Sequence, residues 1–161
     1  MAYQHKINWS DPRKGGGVLS FTRDEFKSAV LDLHIQIEGQ LEEIRHTAFR
    51  DPDMFKGRLE FSRQVRLVRA LIGKSPDDEI WEIVNKLAAL RNEFAHTTPA
   101  PKAIHDHIDA LEKQVQKIGP GSIVAAGLYN DKRLDIVVSA HFAVQRFFLE
   151  IKDWLGSLPA T

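Results

Sequence analysis

From Phe26 onward, apolar side chains recur every third or fourth position, through Val30, Leu33, Ile37, Leu41, Ile44 and Ala48. That period is the signature of a helix with one face turned to a core. It predicts about seven helical turns, opening at Thr22 and stopping near Asp51-Pro52, where the residue before a proline is steered out of helical geometry. Thr22-Arg23-Asp24-Glu25 reads as a capping box, with Thr22 bonding first-turn amides and Glu25 reaching back.

Four more elements follow by the same logic. A second helix is predicted over roughly 58–72, with Phe61, Val65, Val68 and Ile72 inward and Gly73 as its stop. A third opens with Ser75 as N-cap and Pro76 at the first helical position, and Asp77, Asp78 and Glu79 favour its positive end. It carries Ile80, Ile83, Val84, Leu87, Leu90 and Phe94. A fourth, about 101–118, shows Ile104, Ile108, Leu111, Val115 and Ile118 before Gly119-Pro120-Gly121 breaks it. Residues 121–132 have no clear period, and Ile123–Ala126 suits either a short strand or a helical turn. The last helix, about 132–156, presents Leu134, Val137, Val138, His141, Val144, Phe148, Ile151 and Leu155, with Phe147 and Trp154 beside them.

No strand alternation of any length and no internal repeat interrupts this series. The expectation is an all-α, single-domain bundle of about five helices with an antiparallel up-down core, spanning residues 21–158. Residues 1–20, with the run Arg13-Lys14-Gly15-Gly16-Gly17, have little to bury and are expected to form a flexible basic arm.

Composition narrows the partners. Lysine and arginine number 22 and aspartate and glutamate 22, so no global field draws the chain to nucleic acid or membrane. Any anion-binding surface must be local. The absence of cysteine excludes disulfides, thiolate metal sites and cysteine nucleophiles, and suits a cytoplasmic protein. No stretch approaches the ~20 apolar residues of a membrane span, and the first residues lack the apolar core of a secretion signal.

Candidate chemistry concentrates in Arg91-Asn92-Glu93-Phe94-Ala95-His96, at the end of the third helix and just before Thr97-Thr98-Pro99. On a helical wheel starting at Ile80, the apolar stripe runs from about 280° to about 40°, and Arg91 falls near 20°. An arginine inside such a stripe needs an acidic partner, a bound anion or a wet cleft. His96 lies about 140° away from it, so on one uninterrupted helix the two side chains diverge. They can converge if the helix unwinds at Ala95–Thr97, or if two copies meet around a twofold axis. Asn92 and His96, four apart, allow the amide to hold the imidazole.

The segment Leu90–His96 matches the form LRNxxAH and resembles the HEPN superfamily signature of Arg, a polar residue, several more, then His, near the end of a core helix. Leu59–Val65, followed by Leu71-Ile72-Gly73, resembles the second helix of HEPN-like relatives that include the mannitol-operon repressor family. The resemblance covers about residues 22–118. It implies a homodimer with Arg and His motifs facing each other, and a metal-independent endoribonuclease without cofactor, used as a toxin or in phage defence, with an antitoxin or regulatory protein as further partner. Carried onto this chain, Arg91 would clamp phosphate, His96 would be general acid or base, and Asn92 would support either. The alternative within the same resemblance is a non-catalytic regulatory or interaction module.

Each residue also has a plainer structural reading. Arg91 could form an ion pair with Glu38 or Glu42 on the first helix, and His96 could cap the last carbonyls. Arg58, Arg66 and Arg69 fall within about 80° on the wheel, a face that could track RNA or simply be solvated. His105 and His107 diverge on a helix, so no metal site is expected there or elsewhere. His141 is expected to be a satisfied core histidine. Gly15–Gly17 follows no strand and lacks a phosphate-loop lysine.

Overall fold

The computed structural model describes residues 22–49, 59–73, 78–96, 100–119 and 131–159. They form five helices: α1 (Thr22–Ala48), α2 (Phe61–Ile72), α3 (Asp78–Ala95), α4 (Pro101–Ile118) and α5 (Lys132–Ser157). No strand occurs among the described residues, and the all-α class follows. The capping-box side chains, the Ser75-Pro76 start of α3, Arg58, the N-terminal arm and residues 120–130 lie outside what is described.

The apolar positions of the sequence become the core. Phe26, Val30, Leu33, Ile37, Leu41 and Ile44 of α1 are all buried, as are Leu87, Leu90 and Phe94 of α3 and Ile104, Ile108, Leu111 and Val115 of α4. Phe26 and Phe94 meet at 5.7 Å between ring centres, tying α1 to the end of α3. Trp81 packs against Phe147 and Phe148 of α5 at 5.5 and 5.8 Å. Such aromatic pairs contribute about 0.5–1.5 kcal/mol each beyond the area they bury. Ile118, expected inward, is 40% exposed in the last turn of α4.

α2 begins at Phe61, three residues later than the periodicity predicts, because Glu60 holds an extended ψ of 145°. It ends where expected: Gly73 takes φ +71°, a conformation that side chains with a Cβ rarely adopt and that stops a helix.

Helix directions follow from side-chain pairs. Gln145 Nε2 donates to Gln36 Oε1 at 2.9 Å, and Lys152 Nζ donates to Glu43 Oε2 at 2.6 Å. Both pairs advance together, so α1 and α5 run parallel; α3 instead opposes α1, with Phe94 beside Phe26 and Ala88 and Arg91 beside His34 and Glu38, so the helices do not alternate in a simple up-down order. α3 and α4 run antiparallel, with His107 near Glu93 and Gln114 donating to the carbonyl of Glu79. α5 is the central element: every residue from Arg133 to His141 is buried. A helix buried on all sides must satisfy its polar groups internally. Asp131 does part of this, accepting the backbone N–H of Arg133 at 2.8 Å and its guanidinium at 3.3 and 3.5 Å.

Candidate functional site

α1, the entry to α2 and the second half of α3 enclose an open pocket of about 520 Å³. α1 contributes His34 and Glu38, α2 and its approach contribute Leu59 to Ser62, and α3 contributes Ala88, Arg91 and Asn92. Arg91 comes to this position because α3 crosses α1 just where its apolar stripe is about to be sealed by Phe94. Of the three resolutions for an arginine in that stripe, the geometry takes the wet cleft: Arg91 is half-buried and lines the pocket.

The ion-pair alternatives resolve as follows. Glu42 pairs with Arg45 at 3.3 Å and lies 3.9 Å from His46, both on its own helix. Glu38 shares the pocket with Arg91, and its Oε1 is 3.5 Å from His34 Nε2. Among the described residues, the side-chain hydrogen bond of the Arg91 guanidinium is from Nη1 to Asn92 Oδ1, at 3.3 Å. Asn92 thus braces the arginine. The remaining N–H groups of the guanidinium have the geometry to take a planar oxyanion, in a pocket that the carboxylates of Glu38 and Glu60 also line.

His96 is elsewhere. α3 ends at Ala95, and His96 follows it, exposed, with its backbone N–H donating to Glu93 O at 3.2 Å. It does not line the Arg91 pocket. The expected local unwinding therefore begins at His96 without bringing it to Arg91 of the same chain. Arg66 and Arg69 are both exposed on α2, and Arg69 lies 5.5 Å from the Trp81 ring centre in a cation–π contact. His105 is buried and His107 half-exposed beside Glu93, so the two rings do point to different surroundings.

The residue that the sequence reading overlooked is His34. It is 3% exposed, its ring lies 4.5 Å from that of Phe61, and its Nδ1 is buried with no hydrogen-bond partner among the described residues. Burial lowers its pKa; Glu38 opposes that shift, and the Arg91 cation adds to it. The imidazole is accordingly held toward its neutral form. A signal was present in the sequence: a histidine four residues after Val30, on the apolar stripe, with Glu38 four residues on. His141 lies behind it on α5. Its Nδ1 bonds Val137 O at 2.7 Å, but Nε2 has no partner among the described residues, so this core histidine is satisfied on one nitrogen only. Complete burial drives its pKa down to about 4, and His34 pushes in the same direction.

Comparison with known proteins finds no matching family model, no similar curated protein and no similar solved structure.

Proposed function

We propose that the chain is a metal-independent endoribonuclease of HEPN type, acting as a homodimer in which Arg91 of one subunit works with His96 of the other. The observation that supports this reading is Arg91, a half-buried residue that lines an open pocket and donates from Nη1 to Asn92 Oδ1. A guanidinium so placed can grip a phosphodiester and stabilise the charge that develops on it. His96, exposed at the helix end, is free to reach a neighbouring subunit, where it would take the proton of a ribose 2′-hydroxyl or protonate the leaving oxygen. General acid–base catalysis of that kind contributes ~10²–10⁴-fold. Arg66 and Arg69, with Arg58, would steer the RNA strand along α2. A toxin or defence role, with an antitoxin or regulatory partner, belongs to the same proposal.

The test is incubation of purified protein with RNA in EDTA, beside Arg91→Ala and His96→Ala. Cleavage by the wild type that falls at least 100-fold in both folded variants is the expected result. Mixing the two variants should restore part of the activity, because a heterodimer regains one complete Arg91–His96 pair. Inert wild-type protein refutes the enzyme.

One observation favours a second reading. His96 stands outside the Arg91 pocket within one chain, as expected if the motif serves a non-catalytic regulatory or interaction module. A dimer that loses association, rather than chemistry, on Arg91→Ala supports that module.

A further inference from the structure

α1 and α5 each bury one histidine, and the two lie at nearly the same level of the bundle. The seam between these helices pairs Gln36 with Gln145 and Glu43 with Lys152, an offset of 109 positions in both cases. By that offset His34 stands opposite Ala143, two positions past His141, so the two histidines differ in height along the seam by about 3 Å. Both are sealed, at 3% and 1% exposure.

Their contacts decide which nitrogen carries the hydrogen. His141 Nδ1 lies 2.7 Å from Val137 O, and a carbonyl only accepts, so the neutral ring keeps its hydrogen on Nδ1 and a lone pair on Nε2. His34 Nε2 faces the Glu38 carboxylate at 3.5 Å, which draws the hydrogen to Nε2 and leaves the lone pair on Nδ1. Those two lone-pair nitrogens, His34 Nδ1 and His141 Nε2, are buried with no hydrogen-bond partner among the described residues. Two acceptors cannot bond each other. One added proton turns either ring into a donor for the other, and a buried imidazolium needs such an acceptor.

We propose that His34 and His141 together form a site for one proton, shared between His34 Nδ1 and His141 Nε2 across the α1–α5 seam. A second proton is excluded, because charge on His34 opposes charge on His141 and burial opposes both. Glu38 of α1 favours the shared proton, Arg91 of α3 opposes it, and α2 brings the uncharged Phe61 ring. His34 also lines the Arg91 pocket, where the carboxylates of Glu38 and Glu60 outnumber the one guanidinium. The proton brings that wall to charge balance, so the pair acts as an acid sensor for the pocket. Neither His96 nor RNA cleavage enters this inference.

Imidazole nitrogen NMR of the full chain, titrated downward from pH 7, tests it. At the start His34 should carry its hydrogen on Nε2 and His141 on Nδ1. On acidification both rings should respond at one common midpoint, and their summed change should equal one proton. His141→Leu removes the acceptor and should lower the His34 midpoint by about one pH unit or more, which a merely structural His141 would not do. Circular dichroism establishes that the variant is folded; if it does not fold, the wild-type titration decides alone. Separate midpoints with a full proton on each ring, the opposite tautomers, or unfolding before either ring responds overturns the site. So does a His34 midpoint that stays or rises in folded His141→Leu.

Discussion

His34 on α1 and Phe61 on α2 hold their rings 4.5 Å apart, and this contact closes one side of the Arg91 pocket. It joins the buried core to the first residue of a helix that is otherwise anchored mainly by Val65 and Val68. The pocket wall and the attachment of α2 are therefore one structural element.

Phe61→Ala should consequently loosen α2 as well as open the pocket. Phe61 is only half-buried, so the cost should fall below the 3–5 kcal/mol of a core phenylalanine, at about 2 kcal/mol. Urea unfolding gives that number. Faster amide exchange in 61–72 than in α3 would place the loss where the contact predicts.

Acid should destabilise the protein in a window set by His141. Its folded pKa, about 4, lies below the 6.5 of an unfolded histidine. The unfolded chain therefore binds the extra proton first, and stability rises with pH between those values. The benefit is complete above about pH 6.5 and is lost as pH falls toward 4, at a cost on the order of 3 kcal/mol. His34, lowered by burial first and by Arg91 as well, acts in the same direction. Unfolding free energies at pH 4.5, 5.5 and 7 should show the slope, and His141→Leu should flatten it. An identical slope in the variant would place the effect in other groups.

Asp131→Ala removes an N-cap and the carboxylate beside a buried guanidinium at once. Burial pushes the Asp131 carboxyl's pKa up by more than Arg133 pulls it down, so this carboxylate is retained at an energetic cost. Its loss should nonetheless destabilise the fold by about 3–5 kcal/mol, the usual result of stripping one partner from a buried pair. Asp131→Asn keeps the cap acceptor and should recover part of the difference. Thermal melts of the two variants measure it.

By contrast, Lys152→Ala should be nearly silent. Lys152 and Glu43 meet at 2.6 Å, but both side chains are substantially exposed, and exposed pairs contribute less than about 1 kcal/mol. A larger loss on unfolding would mean that the α1–α5 seam depends on charge rather than on packing.

Much of the fold was legible because each helix carries its own period. α4 and α5 begin and end within a residue of where their apolar stripes and glycine stops place them, while α1 opens at Thr22 as expected and ends at Ala48, the last position of its stripe and three residues short of Asp51. The start of α2 was less legible, since nothing in the local pattern shows that Glu60 is extended. Arg91 was found because a charge within a stripe contradicts its surroundings. His34 was missed because its meaning comes from a crossing: a wheel drawn for α1 cannot show that α3 delivers Arg91 beside it. That Arg91 and His96 do not meet within one chain was legible, since the wheel sets them about 140° apart and His96 indeed stands outside the Arg91 pocket.

The parallel seam of α1 and α5 also bears on synthesis. Gln36 must wait for Gln145, and Glu43 for Lys152, both 109 positions later. While a ribosome is still making α4, the apolar face of α1 has lost most of its eventual cover, and the nascent chain presents that face to chaperones or to its neighbours. Closure is thus a late event, and a chain truncated before α5 should be recovered as aggregate rather than as a smaller folded bundle.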